Sequence, residues 1–220
     1  MNLSRVASGL SLHSYLKRMD SLRAHDLLGP AEGRVLDLGC GAGEDLPSLA
    51  RRGWNVVGLE PFQTPRAGPW ARGTADRIPF RDDSFDAVAC VLVLPHLPRP
   101  EHAVAEVLRV LRRGGTSVFV VFSLSPLNVG VVFRKARPST SNLRAVCRLY
   151  THRSIERLLS RAGFRIEAIV RMDHLPWFLG MAPLSLRESL YHWLERHDVR
   201  IASSPFGAFA RKLVVAGVKP

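Results

Sequence analysis

Val35-Leu36-Asp37-Leu38-Gly39-Cys40-Gly41-Ala42-Gly43 decides how this chain is read. An apolar strand stops at an acidic residue and runs into glycines at alternate positions. Glycine lets a backbone take unusual torsions and lets a ligand press against it. Directly after a buried strand, three of them point to a nucleotide-like ligand on the turn. The next apolar run, Asn55-Val56-Val57-Gly58-Leu59, ends on a second carboxylate, Glu60, 23 positions after Asp37. A βαβ unit brings a carboxylate to a ribose hydroxyl pair after about 20 residues.

The spacing narrows the ligand further. The dinucleotide fingerprint G-x-G-x-x-G fails from Gly39 at Glu44, and from Gly41 at Leu46. A pyrophosphate gains little from a carboxylate at the mouth of the following helix, where the dipole favours an anionic ligand. No G-x-x-x-x-G-K-[ST] loop is present either. A ligand with a ribose and a cation but no phosphate fits better, with Asp37 and Glu60 serving an amino group and the ribose.

Asp37-Leu38-Gly39-Cys40-Gly41-Ala42-Gly43 resembles motif I of the class I S-adenosylmethionine-dependent methyltransferases. Further segments follow in the family's order. Gly73-Thr74-Ala75-Asp76-Arg77-Ile78-Pro79-Phe80 resembles its adenine-side segment, and Ser84-Phe85-Asp86-Ala87-Val88-Ala89-Cys90 the entry to its fourth strand. His96 to Glu101 and Leu108 to Gly115 resemble the helix and turn leading into its fifth. The resemblance spans about residues 33 to 123 and is closest to the small-molecule branch with the ubiquinone and menaquinone biosynthesis methyltransferases. It implies a Rossmann-like α/β fold: a seven-stranded, mostly parallel sheet, an antiparallel last strand and helices on both faces.

Size and charge set the outer limits. The 220 residues suit one α/β domain, with 46% hydrophobic and 23% charged residues in the normal globular range. No apolar run is long enough to span a bilayer, and no signal peptide is read. Cys40, Cys90 and Cys147 lack metal spacing and point to free thiols in a reducing, cytoplasmic setting. The formal net charge of +12 admits nucleic acid, an acidic substrate or peripheral contact with an anionic membrane. Scattered arginine without a specific partner accounts for it as well. Arg153, Arg157 and Arg161 are sharper, because their four-residue spacing puts them on one helix face, with Arg144 and Arg148 just before. That face is either simply solvated or an electropositive landing strip.

Along the chain, Leu12, Tyr15, Leu16, Met19 and Leu22 mark amphipathic cap helices over residues 1 to 29. Strands are expected at Arg34 to Leu38, Asn55 to Leu59, Asp86 to Leu94, Thr116 to Phe122, Phe164 to Val170 and Ala210 to Val218. Helices are expected at Asp45 to Arg52, Glu101 to Leu111 (ended by Gly114-Gly115) and Thr151 to Ala162, with Thr151 or Ser154 as its cap. Leu186, Leu190, Trp193 and Leu194 mark a further amphipathic helix. Three prolines and two glycines in Pro61 to Gly73 disfavour the helix the family usually has there, so the third strand should be short or irregular. Ser123 to Tyr150 reads as a lid or insertion. No domain linker is apparent.

The resemblance assigns roles. Asp37 would meet the methionine amino group, with Leu38, Gly39, Cys40, Gly41 and Gly43 forming the loop under the cofactor. Glu60 would accept the ribose hydroxyls, and Pro61 and Phe62 would lie by the adenine. Asp76 would accept the adenine amino group between Arg77 and Ile78, and Val91 and Leu92 would act through their backbone. His96 is the candidate base or acceptor contact, since a proton is removed only if the acceptor carries one to lose; a structural histidine is the plainer alternative. Tyr150, His152 and Tyr15 are weaker candidates. The expected reaction is methyl transfer from S-adenosyl-L-methionine to an O, N or C atom of a small molecule. Trp177, Phe178, Trp193, Phe206 and Phe209 suit an apolar or aromatic acceptor, with core packing as the plainer reading of any single ring. No metal is expected. The alternatives are a methyltransferase acting on RNA or protein, or an inactive methyltransferase-like binding protein.

Overall fold

This computed structural model describes residues 21, 23–128, 148–173, 197, 200, 201 and 204–220. β1 (Arg34–Leu38) lies between β2 (Asn55–Glu60) and β4 (Phe85–Val91), parallel to both. β3 (Trp70–Arg72) continues the parallel set beyond β2, and β5 (Leu111–Phe122) continues it beyond β4. β7 (Lys212–Val218) runs antiparallel between β5 and β6 (Arg165–Met172). The strand order is therefore β3-β2-β1-β4-β5-β7-β6, the expected seven-stranded sheet with its last strand reversed.

The strand sequences dictate two buried faces. Successive side chains of a strand point to opposite faces. Leu36, Leu38, Val88, Cys90, Phe119 and Val121 accordingly enter one core, and Val35, Ala87, Ala89, Val118 and Val120 the other. The first core is covered by α2 (Pro100–Val110) and α3 (His152–Ala162), through Ala103, Val104, Val107, Ile155 and Leu159. The second is covered by the short α1 (Leu46–Arg51) and the segment holding Ala24 and Leu28. Parallel strands need exactly this cover, because neither face can be left to water. No helix among the described residues is long and apolar enough to cross a membrane.

Several boundaries differ from the sequence reading. β4 stops at Val91 rather than Leu94, because Leu92 has φ +57° and a short 3₁₀ turn follows over Leu94–His96. α2 ends at Val110, and Gly114-Gly115 lie within β5 rather than ending the helix. Leu111 already pairs with Phe85, and the intervening residues bulge before Thr116 pairs with Ala87. β6 starts one residue and ends two residues later than expected, and β7 starts two residues later but ends at Val218 as expected. The expected irregularity after β2 is present: no helix forms over Pro61 to Gly73, and β3 is three residues long. Thr151 and Ser154, the two rival caps, form one reciprocal capping box, and Gly163 at φ +110° closes α3. The cap helix before Ser21, the core of the proposed lid and the amphipathic helix around Trp193 lie outside the described residues.

Candidate cofactor and acceptor site

The chain leaves β1 toward β2 on one side and returns to β4 on the other. The crevice at the carboxyl ends of such strands is where open α/β sheets hold ligands. Asp37 and Glu60 stand there, 3% and 6% exposed. Two nearly buried carboxylates at one mouth are costly unless matched by hydrogen bonds or a cation.

Glu60 is matched by backbone. One carboxylate oxygen accepts the Gly41 N–H at 2.9 Å, and the other accepts Phe62 and Gln63 N–H at 3.0 and 3.2 Å. The glycine loop also bonds to the end of β2, with Gly39 and Cys40 N–H both directed at the Leu59 carbonyl. Gly39, Gly41 and Gly43 all have positive φ, so the expected glycine-dependent loop is present. A Cβ on Gly39 would stand 2.5 Å from Val93 Cγ2, which closes the loop against the segment after β4. A Cβ on Gly43 would meet Pro65 and the Ala67 carbonyl. The proline-rich stretch that replaces a helix is therefore packed on the loop, pinned by Arg66 N–H to the Ala42 carbonyl.

The second wall is the 74–82 segment. Asp76 and Arg77 are exposed and Ile78 is buried beneath them. Ile78 N–H donates to Glu106 at 2.8 Å. Arg109 clamps the same carboxylate at 2.7 and 2.8 Å, and donates onward to the Ile78 and Phe80 carbonyls and to Asp82. The Arg109 bonds hold the Glu106 carboxyl below its usual range, and Glu106 and Asp82 raise Arg109 in turn. These two α2 residues were missed in the sequence. Their signal was only a Glu–Arg pair three apart on a helix, which usually marks a solvated face.

The other end of the crevice is formed after β4 and β5. His96 is exposed on the 3₁₀ turn and stands edge-on to Phe122, with ring centroids 6.3 Å apart. Val91 and Leu92 are half-buried, and Leu92 N–H bonds to the Val120 carbonyl. Tyr150 is 3% exposed with its hydroxyl toward the Leu94 carbonyl, and burial pushes its pKa up to about 12, as befits a core residue. His152 is exposed on α3. Phe62 is 69% exposed, so it is not a core residue. Phe206 and Phe209 are exposed as well, while Tyr15, Trp177, Phe178 and Trp193 lie outside the described residues. Cys40 and Cys90 are buried free thiols, and desolvation raises Cys90 to about 12. Among the described residues no cluster of His, Cys, Asp and Glu is arranged to hold a metal ion.

The donor set suits a cationic ribonucleoside. Two buried carboxylates stand at the strand ends with a glycine-rich loop between them, an arrangement that can accept hydrogen bonds from an amine or hydroxyls. Residues 36–119 match the model of the methyltransferase domain family. A demethylmenaquinone methyltransferase of Beutenbergia cavernae is 38% identical over 111 residues, covering 46% of each chain. A ubiquinone biosynthesis O-methyltransferase of Hahella chejuensis is 32% identical over 106 residues, covering 42% of this chain and 44% of the relative. A Thermotoga maritima structure described as a possible histamine N-methyltransferase superimposes with TM-score 0.69 at 21% identity, covering 94% of this chain and 92% of that one. The chain spans between 32% and 46% of the length of these and the other foremost curated relatives. With the motif I loop, the acidic strand ends and the reversed seventh strand in place, residues 36–119 match the methyltransferase domain family, and the chain is similar to ubiquinone and menaquinone biosynthesis methyltransferases.

Proposed function

We propose that this protein transfers a methyl group from S-adenosyl-L-methionine to an O, N or C atom of a small apolar or aromatic molecule. The observation that carries the reading is the pair of buried carboxylates, Asp37 and Glu60, flanking a loop whose three glycines all have positive φ. The cofactor, when bound, supplies an activated methyl on a sulfonium. The protein binds, orients and excludes water.

Asp37 receives the amino group, and Leu38, Gly39, Cys40, Gly41 and Gly43 form the floor. Glu60 receives the ribose. Its Gly41-bonded oxygen has acceptor capacity left for one hydroxyl. The other oxygen already takes two N–H groups, so a second hydroxyl displaces the longer bond, from Gln63. Pro61 and the exposed Phe62 cover one face of the adenine. Asp76, Arg77 and Ile78 line its edge, and Val91 and Leu92 offer backbone beside the reacting end. His96 faces the acceptor. It takes up a proton where the acceptor has one to lose and otherwise only orients it. The buried thiols fit a reducing, cytoplasmic compartment.

Titration calorimetry with S-adenosylmethionine and S-adenosylhomocysteine, with NAD as control, tests the cofactor. Micromolar binding of the first two without NAD is expected; absence of both would remove the proposal. Catechols, quinols and aromatic amines are then screened for methyl transfer. His96→Ala should lower kcat while leaving S-adenosylhomocysteine affinity intact.

A further inference from the structure

Away from the cofactor crevice, α2 and α3 leave an open groove of about 680 Å³ on their outer surface. Arg148, Arg157 and Arg161 line it together with a single carboxylate, Glu101. Its apolar lining comes from Pro100, Ala105, Leu149, Leu158 and Ala162. Arg157 and Arg161, one turn apart on α3, make no hydrogen bond or ion pair among the described residues. Arg148 is held in place by its backbone, whose N–H bonds to the Pro95 carbonyl, and its guanidinium reaches the Pro98 carbonyl at 3.3 Å.

Three guanidinium groups against one carboxylate leave two positive charges over an apolar floor. The arginine fork matches phosphate geometry, and a phosphate monoester carries roughly −1.5 to −2 with three acceptor oxygens. A monoester therefore neutralises the groove, whereas a lone carboxylate leaves it half compensated. The volume falls within the roughly 300–1,000 Å³ of small-molecule sites, and the apolar lining has room for a chain attached to the phosphate. We propose that the α2–α3 groove is a binding site for a phosphate monoester carried on an apolar chain. None of its lining residues is among those assigned to the cofactor, and its occupancy does not depend on the reaction assigned above.

The probe is dodecyl phosphate below its micelle-forming concentration, titrated calorimetrically into the full chain, with dodecyl maltoside and inorganic phosphate as controls. Saturable binding of dodecyl phosphate, stronger than either control, is expected. Arg157→Glu with Arg161→Glu should weaken it roughly tenfold or more, since two of the three guanidinium groups facing the phosphate become carboxylates. S-adenosylhomocysteine affinity measured on the same variant shows whether the protein has stayed folded, and separates this site from the crevice. Equal binding by parent and variant, or no binding of dodecyl phosphate, overturns the proposal. Phosphatidylcholine vesicles with and without phosphatidic acid then distinguish the sources. Arginine-dependent co-sedimentation with the acidic vesicles supports the site with a bilayer lipid as its ligand. Binding of the free amphiphile alone supports it with a dissolved one.

Discussion

Glu60 reaches back from the end of β2 to take the Gly41 N–H at 2.9 Å, so the second acidic residue of the crevice holds the shape of the loop that follows the first. Its three backbone partners give it a structural role, beside the ribose contact proposed for it. Glu60→Ala strands the Gly41, Phe62 and Gln63 N–H groups near the crevice. The expected result is a loss of about 1–3 kcal/mol in denaturant stability, together with at least a tenfold loss of S-adenosylhomocysteine affinity. Unchanged affinity would separate Glu60 from the ribose.

Gly39→Ala tests the closeness of the loop to the segment after β4. The new methyl enters a position 2.5 Å from Val93 Cγ2 at φ +74°. Left-handed strain of roughly 1–2 kcal/mol adds to an overpacking cost of about 1–3 kcal/mol. Adding Val93→Ala should recover the overpacking part and leave the strain. Urea denaturation of both variants checks this; no recovery would mean that the loop, and not Val93, gives way.

Arg109 joins five acceptor atoms on two stretches of chain, the 74–82 segment and its own helix. Arg109→Lys keeps the charge but not the fork, and should lose nearly as much stability as Arg109→Ala. A double-mutant cycle with Glu106→Gln should show clear coupling. The Glu106 carboxyl is held low in the fold by Arg109, so its contribution is present at neutral pH and is lost as pH falls through its folded value. Glu106→Gln should flatten the acid limb of the melting curve below about pH 4.5.

His25 is 1% exposed, and among the described residues neither ring nitrogen has a hydrogen-bond partner. Burial first, then the nearby Arg52, push its pKa from 6.5 down to about 4, against the opposing pull of Asp26. The folded protein thus keeps this ring neutral where the unfolded chain takes up a proton, and stability falls as pH drops from about 6.5 to about 4. His25→Leu should remove that slope and leave the protein no less stable at pH 7, because an unsatisfied buried polar group is replaced by an apolar one. Thermal melts across pH 4 to 7 measure it. An unchanged slope would place the acid sensitivity elsewhere.

The groove arginines, Glu106, Arg109 and His25 show where legibility in the sequence stops. β1, β2 and the glycine loop were readable because burial and backbone torsion are encoded by adjacent residues: alternating apolar side chains, then glycines that only a left-handed turn needs. The short third strand was readable from its prolines, which remove donors whatever the surroundings. The end of β4 was misjudged because Leu92 looks like a strand residue and takes φ +57° only against its neighbours. The start of β5 was misjudged because Leu111 pairs with a distant partner, Phe85, before its glycines bulge outward.

The sequence by itself therefore determined the sheet, the two carboxylates at its mouth and the methyltransferase resemblance, since each rests on local pattern. Only the tertiary structure decided that Glu60 is bonded to the glycine loop, that Glu106 and Arg109 brace the opposite wall, and that Arg148 joins Arg157 and Arg161 in one groove. These relationships join residues far apart in the chain. Their energies come from desolvation and hydrogen-bond geometry, which exist only once packing has brought the groups together.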